Sequence, residues 1–257
     1  MIWDKLLETY ENNKDCADIA PIAHTKIKAN IGILIDSIGI FRMAAEIPAV
    51  TTIVPCTAES ECRSSNIAPH PIHDNLSYVG NIDGYEKRHE VYMQQLHDYA
   101  FGTDCSYAKA IYRYLENGTI LDDISEILEK TKKQDIKSMN VIFCVYHTKE
   151  ESVDLKWTDY YLNKLPKNGM CMLTGQPDYI PKSYPVVKRN SKDLARLIIA
   201  EPSQNVDKWM WDKDFLIGYT ASQKILHTLQ ALLEDDKSYL DNEVEFLNTI
   251  YNTVELT

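Results

Sequence analysis

Apolar positions along the chain keep two different rhythms. Ile2, Leu6, Leu7 and Tyr10 recur at helical spacing and predict an opening amphipathic helix. "IKANIGILID" (27–36) instead reads as a strand, with "SIGIFRMAAEI" (37–47) as its continuation or hairpin partner. A polar loop follows, from about Pro55 to Asn75. Beyond it, Tyr85, His89, Tyr92, Leu96 and Tyr99 align on one helical face. Asp104 is placed to cap a further helix with Ala108, Ile111, Tyr112 and Leu115 inward. Gly118 ends that helix, and Thr119 is placed to cap a third, with Ile120, Ile124, Ile127 and Leu128 inward.

The rhythm then changes. "MNVIFCVYH" (139–147) is a β-branched and aromatic run that predicts a buried strand. "LKWTDYYLNKL" predicts a short helix with Trp157, Tyr161 and Leu165 in line. Three prolines make "CMLTGQPDYIPKSYPVV" strand ends and loop. "LARLIIA" predicts another strand, and Thr220 opens a helix burying Ile225, Leu226, Leu229, Leu232 and Leu233. A last acidic helix uses Val244, Leu247, Ile250, Tyr251 and Val254.

The expected fold class is α+β: a mixed or antiparallel sheet with a helical insertion and C-terminal amphipathic helices. Residues 1–138 form the expected N-terminal α+β region, with a protruding polar loop at 55–75 and a helical segment at 85–131. Residues 139–257 hold the second strand group, a basic segment and the C-terminal helices, in a layout that also suits one compact domain.

Composition adds little to class, since 44% hydrophobic and 25% charged residues are ordinary for a globular protein. No window approaches 18 consecutive apolar residues, and the acidic amphipathic start lacks signal-peptide design, so a cytoplasmic protein away from membranes is expected. The six cysteines are scattered, which favours free thiols, with Cys144 read as a small buried hydrophobe.

Charge matters more. A net −11 argues against nucleic acid at first sight, but the last 24 residues carry seven acids against Lys237 alone. Elsewhere, "KSYPVVKRNSKDLAR" (182–196) holds five basic residues and "KTKKQDIK" (130–137) four lysines. Such runs are ordinarily solvated faces.

Motifs for catalysis are missing. There is no G-x-x-x-x-G-K-[ST], no G-x-G-x-x-G, no G-x-S-x-G and no H-E-x-x-H. Cys56, Cys62, His70 and His73 run as C-x5-C-x7-H-x2-H, a zinc-like set whose spacings depart from those of zinc fingers. A buried Cys56 with hydrogen-bonding histidines is the preferred reading, so no metal or cofactor is expected. His89 shares an apolar face with Tyr92 and Leu96 and reads as packing.

The polar loop is the distinctive stretch. In "RSSNIAPHPIHDNLSYVG" (63–80), Pro69 and Pro71 deny a helix and bias Ala68 and His70 toward extended backbone. That stretch and its continuation "NIDGYEKRHEVYMQQLH", the opening "LLETYENN…IAPIAHTKIKANIGILIDSIG" and "CMLTGQPDYIPKSYPVVK" keep the order of segments found in one family. Together they resemble the amino-terminal portion of the large-subunit family of type I-C CRISPR surveillance (Cascade) complexes. Family members run on well past this length.

The resemblance implies a non-enzymatic role in antiviral defence. It implies binding of the target DNA duplex at the protospacer-adjacent motif and help in opening the strands beside the guide RNA. The implied partners are double-stranded DNA, the guide ribonucleoprotein and other Cascade subunits. Arg63, Ser64, Ser65, Asn66, His73 and Asn75 offer short donors and acceptors suited to base edges, and Lys26, Lys28, Lys188 and Arg189 suit phosphates. Two alternatives stay open: a truncated relative acting as a protein-interaction or regulatory module, and a zinc-binding module. The plain alternative for the loop is a turn in which Ser64, Ser65, Asp74 and Asn75 satisfy their own backbone.

Overall fold

A computed structural model describes residues 2–14, 16, 18–131, 135–146, 153–187, 197–198 and 216–234. The chain opens with α1 (Ile2–Asn13) and enters a long antiparallel hairpin, β1 (His24–Asp36) and β2 (Phe41–Pro55). A short α2 (Ala58–Glu61) precedes the polar loop, which ends in the two-residue β3 (Asp74–Asn75) and α3 (Leu76–Val79). The helical insertion follows as α4 (Glu86–Gly102), α5 (Ser106–Glu116), α6 (Ile120–Asp123) and α7 (Ser125–Lys130). A 3-10 turn (Ile136–Ser138) leads into β4 (Asn140–Tyr146), then α8 (Val153–Lys164), the small pair β5 (Gly169–Met170) and β6 (Pro177–Asp178), and α9 (Tyr219–Glu234).

The sheet order is β2-β1-β4-β3. β1 pairs β4 in parallel, Ile31 facing Val141, while β3 runs antiparallel to β4, Asp74 facing Val141. This is the expected α+β fold with a mixed sheet. β4 lies beside β1, so the expected N-terminal region and the start of the second share one sheet.

One sheet face makes the core. Ile31, Ile33 and Ile35 alternate with half-buried neighbours along β1, and with Val141 and Phe143 they pack on Tyr92, Leu96, Tyr99, Ile111 and Tyr114 of α4 and α5. Trp157 of α8 is buried and donates its indole N–H to the Cys56 carbonyl at 3.1 Å. A second cluster joins Trp3 and Leu7 of α1 to Ile217, Leu226 and Leu229 of the α9 region.

Local expectations met three corrections. Asp104 does not occupy the N-cap of α5: it sits one residue earlier at φ 54°, paired with Lys109, and Cys105 takes the cap position. The third helix of the insertion is broken at Ile124 into α6 and α7. Cys144 is exposed rather than buried, because alternation along β4 turns it to the sheet face opposite the core. The predicted strand at "LARLIIA", apart from Leu197 and Ile198, lies outside the described residues, as does the last acidic helix. No helix among the described residues is long and apolar enough to cross a membrane.

Candidate nucleic-acid interface

The loop 63–75 is built around Asp74. Its carboxylate is fully buried and accepts both Nη atoms of Arg63 at 2.6 Å, one per oxygen. Oδ2 also accepts the His70 amide at 2.7 Å, and Oδ1 the Asn75 amide at 2.7 Å. Arg63 Nη1 donates further to the Ala68 carbonyl at 3.0 Å, and the Tyr78 hydroxyl accepts the Ala68 amide at 3.3 Å. Burial opposes the charge on Arg63, but the bonds to Asp74 outweigh it and raise its pKa.

Anchored on Asp74, the segment turns inward. Residues 68–72 are buried, Tyr92 donates its hydroxyl to the Ile72 carbonyl at 2.8 Å, and His70 lies within 2.9 Å of Ser60 Oγ. Burial pushes the His70 pKa down to about 4, so its imidazole is neutral at physiological pH. Expected as a projection throughout, the loop shows only residues 64–67 at the surface. The reason is physical: one buried carboxylate collects four donors that would otherwise need water.

The candidate residues thus separate. Ser64, Ser65 and Asn66 are exposed, with Asn66 Oδ1 accepting the Ser64 amide at 3.2 Å. Arg63 is committed to Asp74 and is not a free reader of base edges. Asn75 caps α3, its Oδ1 accepting the Ser77 amide and hydroxyl at 3.1 and 2.6 Å. His73 stacks on Phe143 and accepts that residue's amide at 3.2 Å. Lys26 pairs with Glu234, and Lys28 is exposed on β1, its carbonyl accepting the Asn140 side-chain amide at 2.8 Å. Lys188 and Arg189 lie outside the described residues.

Cys56 is buried as preferred. Cys62 donates to the Ser183 carbonyl at 3.5 Å, and His70 and His73 have the partners already named. Among the described residues, no three His, Cys, Asp or Glu side chains are placed to hold a metal ion.

What replaces the projection is a ladder of cations and rings. Arg63 lies 4.7 Å from the Tyr78 ring centre, and Arg88 lies 5.3 Å from the same ring. Arg88 is also 5.0 Å from the Tyr85 ring, and Lys137 closes the row 5.1 Å from Tyr85. Arg88 donates to Ser77 Oγ at 3.0 Å and Lys137 to the Tyr85 hydroxyl at 3.1 Å. Lys137 keeps 41% of its side chain exposed and lies 3.6 Å from the exposed Asp135 carboxylate, a surface pair that water screens. Stacking on rings uses a guanidinium's faces and leaves its N–H edge to oxygen acceptors; in Arg88 one Nη already serves Ser77, and the remaining donors suit phosphate oxygens. The ladder begins at Arg63, immediately beside the exposed tip.

Sequence reading missed Tyr78, Tyr85, Arg88 and Lys137 as site residues. The signal was weak: Tyr85 and Arg88 are three apart at the start of α4, where they share a face. Lys137 closes a lysine run whose ordinary meaning is solvation.

No curated protein matches the chain. The family model described as CRISPR-associated protein (Cas_Csd1) matches residues 6–246, nearly the whole sequence. The chain therefore belongs to the CRISPR-associated Csd1 family, the large-subunit family of type I-C Cascade complexes.

Proposed function

We propose that the chain is a non-catalytic, cytoplasmic subunit of a type I-C Cascade complex that binds the DNA duplex flanking the target and helps open its strands beside the guide RNA. The observation that carries this reading is the row Arg63–Tyr78–Arg88–Tyr85–Lys137 beside the exposed Ser64–Asn66 tip. Ordered cations supply phosphate contacts, while hydroxyl and amide groups at the tip supply donors and acceptors for a groove edge. Holding the cations against rings lowers the side-chain entropy lost when DNA binds. The motif read is assigned to the tip, and Arg63 to shaping it.

Anisotropy titrations of a labelled duplex at several salt concentrations test the reading, with the chain alone and assembled with its partner subunits and guide RNA. Arg88→Gln with Lys137→Gln should weaken binding to all duplexes alike and flatten the log–log salt slope by about 0.9 for each phosphate no longer neutralised. Ser64→Ala with Asn66→Ala should leave that slope intact and reduce discrimination between flanking sequences. If both pairs bind like wild type, the interface lies elsewhere.

A further inference from the structure

We propose that the sheet face opposite the core, together with the hairpin turn 37–40, docks another protein subunit of the complex, one offering apolar surface edged with carboxylates. The turn displays Ile38 at 60% and Ile40 at 50% exposure, and beside it Met43 and Tyr146 are each 54% exposed. Leu34, between Met43 and Cys144 in the strand register, continues the patch, and Cys144 is exposed as well. A shallow depression of about 590 Å³ lies here, lined by Leu34, Asp36, Ser37, Ile38, Arg42 and Tyr146. Large aliphatic and aromatic groups on one outward face mark an interaction surface rather than scattered exposure.

The turn is built rigidly. Asp36 Oδ1 accepts the amides of Ile38 and Ile40 at 3.1 and 2.9 Å, and Asp36 Oδ2 takes Arg42 Nη2 at 2.6 Å. Arg42 is the extra residue of a bulge between the Leu34–Met43 and Ile35–Phe41 pairs. Gly39, at φ 90°, rests on α5 so closely that a Cβ would stand 2.7 Å from the Ala110 carbonyl oxygen. Two isoleucines are thus presented in a fixed geometry, which reduces the ordering cost of binding.

Charge selects the occupant. Arg42 is 55% exposed, and Arg113, whose Cβ lies beside Gly39, is exposed on α5, so the rim facing a partner is basic. Carboxylates on the partner complement that rim. A second copy of this chain is disfavoured by its net charge of −11. A nucleic acid would meet mainly apolar side chains at the centre of this face, where phosphates find no partner.

The inference rests on membership of a multi-subunit complex, and its test separates the two. The full chain is assembled with the other purified protein subunits and guide RNA, and incorporation is measured by size-exclusion titration. Ile38→Asp with Ile40→Asp should lower affinity for the assembly roughly tenfold or more, while the thermal midpoint of the chain alone and its duplex binding stay unchanged. The milder Ile38→Thr with Ile40→Thr should move affinity the same way if the acidic pair misfolds. Ile40→p-benzoyl-phenylalanine should photocrosslink to a protein subunit. Wild-type affinity in these variants overturns the proposal. So does a crosslink to nucleic acid or to a second copy, or a crosslink within the chain with a fallen thermal midpoint, which shows the patch covered by its own residues. A wild-type chain that assembles but binds no duplex overturns the DNA reading alone. One that never assembles overturns both.

Discussion

Residues 63–75 carry an arginine, two histidines and an aspartate, and most of them fold into the body. Residues 37–40 carry two isoleucines whose side chains stand in solvent. Both segments are organised by an aspartate, yet the two carboxylates act in opposite directions. Asp74, with no exposed surface, draws Arg63 and the His70 and Asn75 amides inward. Asp36, at the end of β1, closes a turn from outside and leaves the isoleucines to the surface. Composition predicts exposure poorly for short connections: what decides is whether polar groups find partners within the segment and which side of the sheet it leaves from.

The largest test of this contrast is removal of its inward anchor. Asp74→Ala strips Arg63, 18% exposed, of its bidentate partner and takes the acceptor from the buried His70 amide and the half-buried Asn75 amide, so a loss of about 3–5 kcal/mol in urea unfolding is expected. Arg63→Met should cost a similar amount by stranding the carboxylate, and the double variant should cost less than the two singles summed. Strict additivity would show that the pair does not organise the loop.

A pH titration asks whether the inward loop is dry. His70 has a folded pKa of about 4, whereas an unfolded histidine titrates near 6.5. Between those values the unfolded chain binds a proton that the fold refuses. Stability is therefore complete above about 6.5 and falls as pH drops toward 4, by up to about 3 kcal/mol. The half-buried His89, also lowered by burial, works in the same direction. Comparing unfolding free energies of wild type and His70→Gln from pH 7 to 4.5 isolates the contribution. Parallel curves would mean that His70 reaches water.

The same two segments show how much of the molecule the sequence carries. Long periodic elements were legible: α1, α4, α5, the β1–β2 hairpin and α9 stand where apolar spacing puts them, and Cys56 is buried as read. Less legible was anything decided by partners distant in sequence. Arg63 and Asp74 meet across eleven positions with no periodic cue. Lys137 reaches Tyr85 from the far side of four helices. An unbroken apolar run such as "NVIFCVYH" cannot reveal that Val141, Phe143 and Val145 face the core while Cys144 and Tyr146 face outward. Asp104 illustrates a local failure: a residue with good capping chemistry adopts φ 54° one position too early, and the cap passes to Cys105, whose side chain does not bond the first turn of α5.

The outward segment offers the smallest and most discriminating change. Gly39→Ala places a methyl at φ 90°, a backbone conformation that alanine resists, and within 2.7 Å of the Ala110 carbonyl oxygen. Relief requires the turn to lift from α5, so thermal unfolding should report a loss of about 1–3 kcal/mol. Ile38→Thr in the same turn should change stability by less than about 0.5 kcal/mol, because its side chain is mostly in water. A harmless glycine replacement would mean that the turn floats above α5. A costly Ile38→Thr would mean that the isoleucine is already covered. Only a large effect at Gly39 beside a negligible one at Ile38 leaves a turn anchored through its backbone while its side chains remain free for a partner.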